Sequence, residues 1–256
     1  MNRTSHNSAV STIDPAEIER FSRIAGEWWD PAGKFAPLHR LNPVRIGFIR
    51  DRAAAHWARD ALSGTPLQGL SVLDIGCGGG LLSEPMARLG TTVTGVDAGA
   101  RNIAVAALHA EKQGLAIDYR HGTAEALAKS AARFDIVLAL EIVEHVADVD
   151  LFLASCAQLV KPGGLVFLST LNRTAKAWAL AIAGAEYVLG WLPRGTHDWK
   201  KFLKPSQVVR GLEAGGVETK EIVGVVYSPL SRAWRLNSTD LDVNYMLFGV
   251  SRSGAR

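Results

Sequence analysis

Three acid–base groups lie within five residues in the run Glu141-Ile142-Val143-Glu144-His145. Two carboxylates and an imidazole can bind a hard divalent cation, or they can share and move a proton. The E-x-x-E-H spacing is not a specific metal signature. The same residues can form a polar helix start, with Glu141 or Glu144 where a helix N-terminus favours negative charge. A second constellation stands upstream: Asp74, then Gly76, Gly78, Gly79 and Gly80. Glycines there permit a turn with positive φ and let backbone touch a ligand. Asp97 closes the next apolar run, where a carboxylate can accept both hydroxyls of a ribose. The dinucleotide fingerprint G-x-G-x-x-G needs a third glycine at the position held by Leu81.

These groups need a sheet to hold them. Val72 to Ile75 reads as a buried strand, and Leu81, Leu82, Met86 and Leu89 as one face of the following helix. Thr91 to Asp97 is a second strand. Arg101 to Gln113 is a helix stopped by Gly114, and Ala116 to Tyr119 is a short third strand. Phe134 to Leu140 is almost continuously apolar, as a strand buried on both faces should be. A helix places Val149, Phe152, Leu153, Cys156, Leu159 and Val160 on one face. Pro162-Gly163-Gly164 turns into a fifth strand, Leu165 to Thr170. After a helix over Ser206 to Ala214, the runs Thr219 to Tyr227 and Val243 to Val250 suggest an antiparallel pair joined by a loop. The alternation predicts an α/β fold with a mostly parallel sheet and helices on both faces. Ligands of such sheets collect at the carboxyl ends of the strands, where Asp74, Asp97 and Glu141 fall.

Residues 1–13 read as a disordered tail and 14–256 as a single domain. Asp14-Pro15-Ala16-Glu17 is a helix start with a capping acid. Ile18, Phe21, Ile24 and Trp28 follow at helical spacing, suited to packing on the main domain. Phe35 to Pro43 reads as a loop and Arg45 to Leu62 as a second helix. Together 14–62 form an N-terminal helical cap able to cover a cofactor. Residues 175–204 form an apolar insertion. Its core, Ala175 to Leu192, is interrupted only by Lys176 and Glu186 and is flanked by Arg173, Arg194, Lys200, Lys201 and Lys204. That composition fits a helix lying in a membrane interface, or a lid helix packed on the core. The 256 residues are 48% apolar, enough for a globular core. A net charge of +3 is too small to imply a nucleic-acid partner. No uninterrupted apolar run is long enough to span a bilayer. Met1 to Thr12 lacks a secretory core, and the two cysteines, Cys77 and Cys156, suit a reducing cytoplasm.

The pattern D-x-G-x-G-x-G over Asp74 to Gly80 resembles the first motif of class I S-adenosylmethionine (SAM) methyltransferases. Longer segments are more particular. Trp28-Trp29-Asp30, Phe35-Ala36-Pro37-Leu38-His39-Arg40-Leu41-Asn42-Pro43, Glu144-His145-Val146, Gly195-Thr196-His197-Asp198 and Asp242-Val243-Asn244-Tyr245-Met246-Leu247 resemble the ubiquinone-biosynthesis O-methyltransferases, from about Asp14 to Leu247. The resemblance implies a seven-stranded sheet with an antiparallel strand at its end and SAM as cofactor. It implies SAM contacts at Arg40, Gly76, Gly78, Asp97 and Leu140, with Arg40 suited to the methionine carboxylate. Thr123 stands where many class I enzymes have an adenine-binding aspartate, leaving adenine to backbone groups and the threonine hydroxyl. In mitochondrial relatives the cluster matching Glu141, Glu144 and His145 is associated with a divalent metal, magnesium being the candidate here. The implied substrates are a polyprenyl hydroxyphenol and demethylubiquinol. The implied setting is cytoplasmic and peripheral on the inner membrane, with lipid headgroups and a ubiquinone-biosynthesis complex as candidate partners.

A phenol with a pKa of about 10 is mostly protonated at neutral pH. A cation on Glu141, Glu144 and His145 would lower that pKa, or His145 would act directly as base. His197, beside Asp198, is a rival base. Alanine at Glu141, Glu144 or His145 is expected to cut turnover and spare SAM affinity. Three other readings compete: a nicotinamide oxidoreductase, a non-catalytic membrane scaffold, and another small-molecule or quinone C-methyltransferase.

Overall fold

The computed structural model describes residues 11–179, 199–228 and 233–252. Five strands alternate with helices. They are β1 (Ser71–Ile75), β2 (Thr92–Asp97), β3 (Asp118–His121), β4 (Phe134–Leu140) and β5 (Val160–Leu171). Three further strands follow: β6 (Val217–Ser228), β7 (Ala233–Asn237) and β8 (Asn244–Ser251). The sheet order is β3-β2-β1-β4-β5-β8-β6-β7. The first five strands run parallel, β8 pairs antiparallel with β5 and β6, and β7 pairs antiparallel with β6. The order reverses between β1 and β4, so their carboxyl ends open a crevice.

The described sheet has eight strands rather than seven. The extra strand is β7, whose five residues include an arginine and an asparagine. It lies at the sheet edge with one pairing partner, so it needs no apolar run to satisfy it. The expected pairing of the last two β-rich runs is present, as β6 against β8.

Strand pleating explains why the central strands are apolar throughout. Leu73, Val137, Ala139, Val166, Leu168 and Leu247 point into one core layer. Val72, Ile136, Leu138, Phe167 and Met246 point into the other. The first layer is closed by α6 (Val149–Leu159) and α7 (Pro205–Ala214) through Phe152, Leu153, Val208 and Leu212. The second is closed by α2 (Ala36–His56) and α3 (Ser83–Arg88) through Phe48, Ile49, Ala53 and Met86. A sheet buried on both faces carries its chemistry only at strand ends.

The N-terminal segment forms the cap. Asp14 accepts from Ala16 N (3.1 Å) and caps α1 (Pro15–Ile24), with Pro15 in the first turn. Helix α2 starts earlier than Arg45, taking in the stretch expected as a loop. Pro37 lies in its first turn, where an amide donor is not needed. Pro43 is inside the helix and leaves one carbonyl there without its usual donor. The tail expectation is corrected at Ser11–Ile13. The Thr12 amide and hydroxyl both donate to Glu125 (2.9 and 2.7 Å), and the Thr12 carbonyl accepts from Ala147 N (2.9 Å). Glu125 lies in the first turn of α5 (Ala124–Ala128), so this polar segment is pinned by hydrogen bonds rather than by apolar contact.

Candidate active site

A cavity of about 870 Å³ lies over the carboxyl ends of β1, β2 and β4 and beneath the cap. It is large enough for a nucleoside cofactor together with an acceptor. Gly76, Gly78, Asp97, Leu140, Glu141, Glu144 and His145 all line it.

The glycine turn leaves β1 with φ of 71° at Gly76 and 53° at Gly78. Its second constraint is space. A Cβ on Gly79 would stand 2.3 Å from Trp28 Cγ, because the cap lays that indole across the turn. Trp28 stacks on Phe35 at 3.6 Å and donates its Nε1–H to Asn102 Oδ1 (3.0 Å). Asn102, on α4 (Ala100–Lys112), donates in turn to Asp97 Oδ1 (3.0 Å). Asp97 also accepts from Gly99 N (2.7 Å) and Gly78 N (3.0 Å). The carboxylate therefore ties the glycine turn to the end of β2. Burial raises its pKa, against the pull of these donors. Asp74, 3% exposed, accepts from Ser83 Oγ at 2.6 Å. Burial, with the nearby Asp97 charge, pushes it up to about 6.

At the end of β4, Glu141 adopts φ 52°, a left-handed conformation unusual for a side-chain-bearing residue. That twist aims its carboxylate at Arg45 Nη2 (2.8 Å), Ser169 Oγ (2.7 Å) and Asn244 Nδ2 (3.0 Å). Burial pushes the Glu141 carboxyl up, but Arg45, Asn244 and Ser169 outweigh it and hold it below its ordinary range. Glu144 is buried and accepts from Thr170 Oγ1 (2.8 Å). Burial and the neighbouring Glu141 charge push it upward. The pair thus favours one ionised and one protonated carboxyl, balanced by one guanidinium. His145 Nδ1 lies 3.2 Å from Glu17 Oε2 on α1.

This arrangement engages the residues expected to hold a metal with other partners. The Glu141 oxygens are taken by Arg45, Ser169 and Asn244, Glu144 favours its protonated form, and one nitrogen of His145 faces Glu17. Among the described residues, no group of three or more His, Cys, Asp or Glu side chains is placed to hold a metal ion. The donors present do not fit a divalent cation.

Arg40 is not brought to this cavity. It is exposed and is not among the cavity-lining residues. Arg45 takes the inward place instead. It lies five residues on, about 140° round the helix, on the buried face with Leu41, Asn42, Phe48 and Ile49. Arg45 is 4% exposed, and its Nε has no hydrogen-bond partner among the described residues, leaving a buried donor at the cavity wall. Sequence reasoning missed Arg45 and Asn244, although Asn244 stands in a segment that carries the family resemblance and Arg45 follows another by two residues. Their inward helix and strand positions were the available signal. Thr123 lines the cavity, but its hydroxyl caps α5 by accepting from Ala126 N (3.3 Å). His197 and most of Ala175 to Leu192 lie outside the described residues. Ile18, Phe21 and Ile24 line the cavity, so α1 does more than pack.

The site suits an adenosyl cofactor. A free buried guanidinium nitrogen, an acid at the end of β2 and a glycine turn converge on one cavity. Residues 73–168 match the methyltransferase domain model. The ubiquinone biosynthesis O-methyltransferase of Chelativorans sp. (strain BNC1) is 59% identical over 237 residues, covering 93% of both chains. That of Parvibaculum lavamentivorans is 57% identical over 239 residues, covering 93% of this chain and 94% of the relative. Among solved structures, magnesium protoporphyrin IX methyltransferase from Synechocystis with bound SAH has a TM-score of 0.59 at 22% identity, covering 93% of this chain and 95% of the other. An N-methyltransferase from Bradyrhizobium japonicum with S-adenosyl-L-homocysteine has 0.56 at 15%, covering 92% and 98%. These two support the fold alone. The sequence relatives reach further: the chain belongs to the ubiquinone biosynthesis O-methyltransferase family.

Proposed function

We propose that this chain transfers a methyl group from SAM to ring hydroxyls of a polyprenyl hydroxyphenol and of demethylubiquinol. Family membership sets the reaction class. The observation that carries the site reading is one cavity that joins Asp97 and the glycine turn to His145 and to the apolar wall of α1. SAM supplies an electrophilic methyl carbon, and the acceptor oxygen bonds to it as the carbon–sulfur bond breaks.

The chain's own groups do the rest. Asp97 accepts the ribose hydroxyls, and the backbone of Gly76 and Gly78 lets the nucleoside approach. Arg45, anchored by Glu141, offers its unpartnered Nε to an anionic group of the cofactor. Leu140 packs at the mouth of β4. Ile18, Phe21 and Ile24 exclude water and accommodate an apolar substrate. His145 accepts the hydroxyl proton, a role worth about 10²- to 10⁴-fold in rate. Orientation of oxygen, carbon and sulfur contributes much of the remainder.

The polyprenyl tail is insoluble in water, which favours a membrane-surface setting through Ala175 to Leu192. Trp178 and Trp199, at the described ends of that region, are 51% and 39% exposed. Among the described residues, no helix is long and apolar enough to cross a membrane.

The test is mass-spectrometric detection of methyl transfer from SAM to short-tailed demethylubiquinol, with and without a chelator. Methylated product in both arms, lost in His145→Asn, is expected. No product from protein that still binds SAM would overturn the acceptor. Product lost with chelator and restored by magnesium would return a cation to the chemistry.

A further inference from the structure

We propose that Glu17, on the N-terminal helix, is a positioning residue for methyl transfer, holding His145 through Nδ1 so that Nε2 receives the acceptor proton. This rests on the reading of His145 as the base.

The two side chains come from different elements at the cavity wall. His145 belongs to the turn after β4, and Glu17 to the cap. Both line the cavity, with Glu17 Oε2 at 3.2 Å from His145 Nδ1. Their side chains are only 14% and 10% exposed, so water competes poorly for the contact. One helical turn beyond Glu17, Phe21 meets the imidazole edge-on, with ring centroids 5.2 Å apart at 82°. Helix α1 therefore restrains the ring twice, at one nitrogen and across its plane.

Glu17 is itself anchored. Lys201 Nζ lies 3.3 Å from Glu17 Oε1 and 2.8 Å from Asp14 Oδ2, the cap of the same helix. Arg20 pairs with Glu17 from the next turn. Burial raises the Glu17 carboxyl, but His145, Arg20 and Lys201 hold it below its ordinary range, so the carboxylate stays ionised.

The chemistry follows from the imidazole. A neutral ring donating from Nδ1 presents its lone pair at Nε2. A carboxylate at Nδ1 also stabilises the imidazolium as it forms. The hydroxyl proton passes to Nε2 and later to water. The oxygen keeps the electron pair that bonds the transferred methyl, and the carbon–sulfur pair leaves with sulfur. Because Glu17 belongs to the cap, the base is oriented only with α1 docked.

The experiment combines kinetics with nitrogen-15 NMR of the full-length protein labelled at histidine. In wild type, neutral His145 should carry its proton on Nδ1. Glu17→Gln should redistribute that tautomer and lower kcat by at least about 10-fold, with KM for the acceptor and affinity for S-adenosylhomocysteine within about 2-fold. Glu17→Asp, which keeps the charge, should recover part of the rate. The pair Glu17→Gln and His145→Asn should be no slower than His145→Asn alone, since both act through one group. An unchanged kcat in Glu17→Gln, additive losses in the pair, or a wild-type Nε2–H tautomer would each overturn the proposal. The last readout needs no variant to fold. Full activity in His145→Asn would instead remove the base assignment on which the proposal rests.

Discussion

Glu141→Ala should act first on stability. The carboxylate is the counter-charge of Arg45, which is 4% exposed and lies 2.8 Å away. Removing one partner of a buried ion pair costs about 3–5 kcal/mol, because the other charge is left desolvated. Ser169 and Asn244 lose an acceptor as well. Backbone strain pulls the other way. Glu141 sits at φ 52°, where a residue with a Cβ carries about 1–2 kcal/mol of strain. Alanine keeps that strain and glycine releases it. Glu141→Gly should therefore be about 1 kcal/mol more stable than Glu141→Ala, although it removes more of the side chain. Glu141→Gln, which keeps an acceptor oxygen without the charge, should lie above both. Urea unfolding followed by circular dichroism measures all three against the parent, with unchanged m-values as the check on two-state behaviour. A loss below about 1 kcal/mol in Glu141→Ala would refute the buried pair. Glu141→Gly no more stable than Glu141→Ala would refute the strain argument.

Three further outcomes are expected. Gly79→Ala places a Cβ 2.3 Å from Trp28 Cγ, so it should lower stability by about 1–3 kcal/mol and weaken SAM binding, read by urea midpoint and calorimetry. Asp74, whose pKa burial lifts from 3.8 to about 6, binds more protons folded than unfolded, so its contribution to stability falls as pH rises through that window and stays low above it. Asp74→Asn should therefore gain up to about 3 kcal/mol over the parent at pH 8 and lose that advantage below pH 3.8, as chemical denaturation at several pH values would read. Deleting Ala175 to Leu192 should abolish cosedimentation with anionic vesicles, and unchanged pelleting would remove the membrane assignment.

The centre of the parallel sheet is visible in the chain because both of its faces are buried there. A central strand must be apolar almost throughout, and the Phe134 to Leu140 run matches β4 residue for residue, whereas β3 at the edge is polar. The glycine turn is visible because positive φ at Gly76 and Gly78, and an indole against Gly79, leave few other residue types acceptable. What fails to show has one partner or a partner far away. Strand β7 has one neighbour, so five mixed residues suffice. The polar tail docks through Thr12 on Glu125, a contact across 113 residues that no local pattern encodes. The choice between Arg40 and Arg45 depends on where α2 starts and how it is rotated, and two prolines in the first turns obscure both.

The cluster at the end of β4 shows most clearly how local chemistry is reassigned by distant groups. Glu141, Glu144 and His145 are one run in sequence, and spacing alone gives them one joint task. In the fold each is claimed by a different element. Arg45 from α2 takes Glu141, Thr170 from β5 takes Glu144, and Glu17 from α1 approaches His145. The first contact keeps a charge, the second accompanies a carboxyl whose burial favours its protonated form, and the third bears on a ring nitrogen. One carboxylate is thereby committed to holding a guanidinium, and the other is poorly suited to accept a proton at neutral pH. The imidazole is left as the group in this run best able to take the acceptor proton. Its orientation depends on a helix that precedes it by more than a hundred residues, so a change at Glu17 in the cap should alter the rate while leaving the binding of cofactor nearly unchanged.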